Sequence, residues 1–143
     1  MRLTFCGLAF ALVAAAALSS APVATAQEPA RARTSLAIAG ANNFAQYCVA
    51  CHGKDAKGTG PLAATLKPKP ADLTGLTARN GGSYPRDMVF QVIEGSKKVQ
   101  GHGGRDMPEW GAAFKASSGG GDAEAVARQI DSLVDYLETI QVK

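Results

Sequence analysis

The stretch FAQYCVACHGKDAKGTGP, residues 44–61, gathers Cys48, Cys51 and His52 within five positions, in a chain of 143 residues with only 3 cysteines and 2 histidines. A basic, glycine-rich run follows directly, with Lys54 and Lys57 set among Gly53, Gly58 and Gly60. The pattern Cys-x-x-Cys-His has three chemical readings. A redox dithiol belongs beside a βαβ pattern, and no alternating apolar run appears in this chain. A structural zinc site wants four ligands. Cys48, Cys51, His52 and His102 supply that number, but the adjacent Cys51 and His52 do not easily face one tetrahedral centre. The third reading is covalent haem attachment. Two thiols add to the porphyrin vinyl groups while the histidine that follows turns under the ring toward the iron. Only this reading uses all three residues at this spacing, and it is preferred here.

The N-terminus supplies a compartment. MRLTFCGLAFALVAAAALSSAPVATAQ begins with one arginine, runs apolar from Leu3 to Leu18, breaks at Pro22 and offers small residues at Ala24-Thr25-Ala26. That is the layout of a secretory signal peptide, cleaved after Ala26. The apolar run is shorter than the ~20 residues of a spanning helix. Cys6 lies before the apolar core, too early for a lipidated N-terminus, and no paired arginines precede it. The expected organisation is a signal at 1–26, a flexible segment at 27–34 and one domain at 35–143, located in the periplasm with no stable membrane insertion after cleavage. Cleavage leaves 117 residues (143 − 26), enough for one small domain. These keep all 12 acids and 14 of the 15 lysines and arginines, a net charge of about +2 (14 − 12) that does not argue for nucleic acid. Both remaining cysteines sit in the cluster, where a disulfide would close a trivial loop and restrain little.

Outward from the cluster, the pattern is helical. Leu36–Tyr47 reads as a helix capped by Thr34 or Ser35, with Gly40, Phe44 and Cys48 on one face. Gly40 leaves room there for a second helix, and Phe44 adds bulk one turn later. From Gly53 to Gly82 the chain is punctuated by Gly and Pro and reads as loop, with at most a helical turn near Leu62–Leu66. SYPRDMVFQVIEG (83–95) reads as a short helix with Ser83 or Tyr84 as cap, Pro85 in its first turn and Gly95 closing it. Residues 96–111 read as loop and 117–121 as a hinge-like break. Asp122 then caps a helix running to about Gln141, with Val126, Ile130, Leu133, Val134, Leu137 and Ile140 in one apolar stripe. The expectation is an all-α domain of three to four short helices joined by long loops. Such a chain buries little apolar surface, so a large apolar cofactor should fill its middle.

Leu36–Tyr47, CVACH, GTGPL, DMPEWG and the closing LVDYLETI, in that order across residues 35–141, resemble a class I c-type cytochrome. KPKPADLT and HGGRDMPEWG are more similar to exported monohaem cytochromes of bacterial respiratory chains than to the mitochondrial carrier. The resemblance implies helices wrapped around one covalently bound haem c. It also implies first and last helices crossing at Gly40 and Phe44 against Leu133, Tyr136 and Leu137, and a six-coordinate iron that transfers electrons.

Three residues compete for the sixth iron position. Met88 lies in a predicted helix with Val92 at i+4 and reads as core packing. Met107 stands in loop before Pro108, which holds the chain extended, and follows His52 by 55 residues (107 − 52), ample to wrap the other haem face. The family places its distal methionine just before a proline, so the resemblance makes His52 and Met107 the axial ligands. His102, in a glycine-rich stretch, is the rival, since imidazole also binds haem iron. A carbonyl should orient the second nitrogen of His52, and the resemblance implies that of Pro61. Trp110 either donates its N–H to a haem propionate or packs on the ring. Arg105 pairs with a propionate or is simply solvated.

The chain therefore reads as a monomeric periplasmic one-electron carrier and not an enzyme. The alternatives are a relay subunit docked on a dehydrogenase or oxidase, and a gas-binding haem protein with an open sixth site. Its partners are redox proteins. The resemblance implies that they cover the surface near Cys48 and Cys51, framed by Lys54, Lys57, Lys67, Lys69, Lys97 and Lys98. The acids Asp122, Glu124, Asp131, Asp135 and Glu138 lie apart on the last helix, which suggests a dipolar molecule.

Overall fold

The computed structural model describes residues 27–97, 107–117 and 121–142. The expected signal segment, Lys98, His102 and Arg105 lie outside the described residues. Six α-helices and one 3-10 turn are present among those described, and no strand. They are α1 (Gln27–Tyr47), α2 (Val49–His52), the 3-10 turn Ala63–Thr65, α3 (Leu76–Arg79), α4 (Arg86–Glu94), α5 (Trp110–Ser117) and α6 (Ala123–Thr139).

The most extensive helix contact joins α1 to α6. Gly40 makes it possible: a Cβ there would lie 1.8 Å from the Ser132 carbonyl oxygen and 2.8 Å from the Tyr136 Cβ. One turn on, the rings of Phe44 and Tyr136 meet at 5.3 Å. Phe44, Ile130, Leu133, Val134 and Leu137 are buried there, joined by Val89 and Ile93 of α4 and Phe114 of α5. The apolar stripe expected on the last helix is therefore the side that faces the core. Asp122 caps α6 by accepting from the Glu124 N–H at 3.0 Å.

Several boundaries differ from the sequence reading. α1 reaches back to Gln27 through the segment expected to be loose, and residues 31–35 of it are exposed. Gln, Glu, Ala and Arg are strong helix formers, and Pro29 falls in the first turn, where its missing N–H costs no helical bond. A helix that buries nothing has no apolar rhythm to detect. α4 takes Pro85 as its cap position, with no side-chain capping bond from Ser83 or Tyr84, while Gly95 closes it at φ 104° as expected. α5 was read as loop up to Gly111. It is short, and its one buried side chain is Phe114, too little to set a period.

α4 is locked onto α6 by ionic contacts. Arg86 donates to Asp135 at 2.5 Å and also to Glu138, and the Tyr84 hydroxyl donates to the Val134 carbonyl at 3.0 Å. Burial pushes the Tyr84 phenol above its usual range. Asp135 is buried. Glu124 pairs with Arg128 at 2.7 Å. Three of the five α6 acids are thus neutralised locally, which weakens the charge dipole expected of that helix.

Candidate functional site

Cys48 follows α1 directly, and its N–H still donates to the Phe44 carbonyl at 2.9 Å. α2 begins at the next residue, and the His52 N–H returns to the Cys48 carbonyl at 2.9 Å. The two thiols and the imidazole are therefore presented from about one turn of helix, continuous with α1. Gly60 packs beneath this turn, where a Cβ would come within 2.6 Å of the Val49 carbonyl oxygen and 2.5 Å of that of Ala50. Burial, reinforced by the neighbouring Cys51, pushes the Cys48 thiol up to about 12, so the folded chain holds it neutral. Both cysteines are free, with no disulfide between them.

His52 is buried, at 6% exposure. Its Nδ1 lies 3.2 Å from the carbonyl oxygen of Ala71. A carbonyl only accepts, so the proton resides on Nδ1 and Nε2 carries the lone pair. The partner is not Pro61, as the resemblance implied. Pro61 is exposed and does not line the cavity. The turn that begins at Gly60 leads the chain away from the ring, and the extended 67–73 strip returns to it instead.

Cys48, Cys51 and His52 open onto a cavity of about 1080 Å³, including its solvent-facing mouth. Phe44, Tyr47, Leu73, Leu76, Val89, Val92, Ile93, Leu133 and Leu137 form most of its wall. Met107, Pro108 and Trp110 complete it. Trp110 stacks with Tyr47 at 5.4 Å and Phe114 at 5.5 Å, so packing accounts for its place in the wall. Met88 also lines this cavity and is only half buried. It belongs to the cavity wall and not to the closed core to which its helical spacing assigned it.

Leu66, Pro68, Pro70, Ala71, Leu73 and Leu76 are wall residues that the sequence reading did not single out. Their only signal was apolar residues spaced along KPKPADLTGL, and the Ala71 carbonyl has no side-chain signature at all. Among the described residues, no three His, Cys, Asp or Glu side chains gather in the manner of a metal site.

The cavity, its wall and its donor set fit one group. An apolar space of this size, with two thiols a helical turn apart and an imidazole lone pair beside them, suits a flat macrocycle held by two thioethers and a nitrogen ligand. The family model described as Cytochrome c matches residues 37–141. The chain belongs to the cytochrome c family. It is a class I c-type cytochrome of all-α fold that binds haem c, with its iron, covalently at Cys48 and Cys51 and serves haem-based electron transfer. Neither the curated proteins nor the solved structures searched contain a significant match. No described helix of this cytochrome is long and apolar enough to cross a membrane.

Proposed function

We propose that this cytochrome is a periplasmic one-electron carrier, with His52 and Met107 as its two axial iron ligands and no substrate site at the metal. The observation that carries the reading is that Met107 lines the same cavity as His52, although 55 residues (107 − 52) separate them. When bound, the haem supplies a reversible one-electron exchange at iron. His52 contributes a neutral imidazole whose tautomer is fixed by Ala71. The Met107 thioether, a soft ligand, favours the ferrous state and raises the potential. The apolar wall excludes water and acts in the same direction.

The partner is a redox protein that approaches the cavity mouth. Lys67 and Lys69 are exposed and alternate with Pro68 and Pro70, which line the cavity. Lys54, Lys57 and Lys97 are exposed as well. Leu62, half exposed at 50%, donates its N–H to the carbonyl of Ala50, next to Cys51. An apolar spot edged by lysines suits a small, transient contact with an acidic protein surface.

Spectroscopy of M107A tests the ligand pair. The weak far-red sulfur-to-iron band should vanish, the potential should fall and the reduced protein should bind carbon monoxide. A spectrum that M107A leaves unchanged would refute the assignment. Export is tested separately: protein recovered from the periplasm should begin at Gln27.

A further inference from the structure

The segment from Ala71 to Thr77 is fastened from two directions. On one side the Leu73 N–H donates to the Ala56 carbonyl at 2.8 Å, in the turn that follows His52. On the other side stands the tail beyond α6. The Gln141 side chain spends its whole hydrogen-bonding capacity there. Its Nε2 donates to the carbonyls of Leu73 at 2.8 Å and Leu137 at 2.7 Å, and its Oε1 accepts from the Thr77 N–H at 2.9 Å. The Val142 N–H adds a bond to the Thr74 carbonyl at 2.9 Å. Within the segment, Asp72 Oδ1 accepts from the Thr74 N–H at 2.8 Å and from its hydroxyl at 2.6 Å.

We propose that Gln141 is a positioning residue for His52, acting through this segment. Leu73 is gripped at both its N–H and its carbonyl, which fixes the two planar peptide units on either side of it. The peptide unit immediately before these carries the Ala71 carbonyl, 3.2 Å from His52 Nδ1. An amide that only closed the end of α6 would need the Leu137 carbonyl alone. Gln141 instead ties α6 to the loop that orients the imidazole. A firm Nδ1–H···O=C bond raises the basicity of a ligating imidazole, and a more basic ligand favours ferric iron. Slackening the segment therefore weakens His52 as a donor and moves the potential upward. This inference rests on His52 as an iron ligand, the reading given above.

The test uses the holoprotein in four forms: wild type, Q141A, Q141E and N43A. Glutamate keeps the shape of Gln141 but turns two donors into repulsion against the Leu73 and Leu137 carbonyls. N43A removes a bond of 3.0 Å to the Ser132 hydroxyl in the α1–α6 contact and leaves the loop alone. NMR follows solvent exchange of the His52 Nδ1 proton, electrochemistry gives the midpoint potential, and urea unfolding gives stability. Q141A should speed the exchange about tenfold or more, the scale of one lost buried hydrogen bond, and raise the potential. Q141E should shift both further in the same direction. N43A should lower stability and change neither. If Q141A and Q141E lose stability as N43A does, yet leave exchange and potential at wild-type values, the positioning role is refuted. If the His52 ring protons of oxidised wild type lack the hyperfine shifts of an iron-bound imidazole, the ligand reading falls, and the inference with it.

Discussion

Replacing Gly40 by alanine should separate the first and last helices and cost this cytochrome much of its stability. The added Cβ would lie 1.8 Å from the Ser132 carbonyl oxygen and 2.5 Å from its carbonyl carbon. Both are backbone atoms, so no rotamer change relieves the clash. Restoring even a tight 3.0 Å approach demands a separation of at least 1.2 Å (3.0 − 1.8) between α1 and α6. A radial gap near 1 Å forfeits up to about half of each dispersion contact, and Phe44, Ile130, Leu133 and Leu137 all lose contacts at once. Overpacking usually costs about 1–3 kcal/mol and occasionally more; a backbone clash at the largest helix contact belongs at or above the top of that range, ~4 kcal/mol. Alanine returns about 1 kcal/mol of helix propensity, leaving a net loss of ~3 kcal/mol. Urea unfolding followed by far-UV circular dichroism should show this as a lower midpoint at unchanged slope. Melting should come roughly 10 °C earlier or more, at ~4 °C per kcal/mol for a domain of this size. A39G, at an exposed position of the same helix, calibrates propensity alone at about 1 kcal/mol. A G40A protein as stable as wild type, or stabilised by about the amount A39G loses, would refute the close-approach argument.

Loss of Arg86 should cost more than loss of Glu138. R86A strands the buried Asp135 carboxylate and should destabilise by roughly 2–3 kcal/mol, somewhat under the range for a fully buried pair, whereas E138A at a solvent-exposed pair should cost no more than about 1 kcal/mol. Both follow from urea midpoints. Acid should weaken the fold through Asp72 and Asp55, whose carboxyls are held below the usual carboxylate range. The cause at Asp72 is the Thr74 hydroxyl and then the Thr74 N–H; at Asp55 it is the Thr59 hydroxyl and then the Lys57 N–H. Stability from these depressed groups is fully present above about pH 4 and is lost as pH falls through their lower folded-state values; D72N should flatten that part of the pH profile. M88L should leave the far-red band and carbon monoxide exclusion unchanged, since a volume-conserving swap in the cavity wall costs under about 1.5 kcal/mol, and a changed ligation spectrum would instead bring Met88 to the iron. The second-order rate of electron transfer to the native partner should fall with salt, and fall again in a charge-reversal variant of Lys67 and Lys69, while a flat salt response would remove the basic-edge docking idea.

What could be read in the sequence was what depends on side-chain identity at fixed spacing. Cys48, Cys51 and His52 announce themselves because thioether attachment and a following nitrogen require those atoms within one turn. The α6 stripe was legible because one face of a long helix is buried and the rest is wet, and Gly40 because only glycine lets two helix backbones touch. α1 before Leu36 was not legible, since an exposed helix has no apolar period, and α5 was too short to show one. The partner of His52 was missed for a different reason. Any residue carries a carbonyl, so which of Pro61 and Ala71 meets Nδ1 depends on the path of the loop. That path is fixed by Leu73, Thr74 and Thr77 bonding to Ala56, Gln141 and Val142, residues far apart in the chain.

The same economy explains why the cavity wall draws on nearly every element. Phe44 and Tyr47 come from α1, Val89 and Ile93 from α4, Trp110 from α5, Leu133 and Leu137 from α6, and Leu73 from the loop. Phe44, Val89, Ile93, Leu133 and Leu137 are at once core residues and wall residues. A small domain of short helices has too few apolar side chains to build a core and a separate binding pocket. Here one set serves both, so the inner face of the core is completed by the haem it binds. Attachment at Cys48 and Cys51 then fixes that apolar surface next to α1, where the α1–α6 contact starts. Folding and cofactor retention are for this reason one property of the chain, and a substitution that loosens the helix crossing at Gly40 must also loosen the wall around the iron.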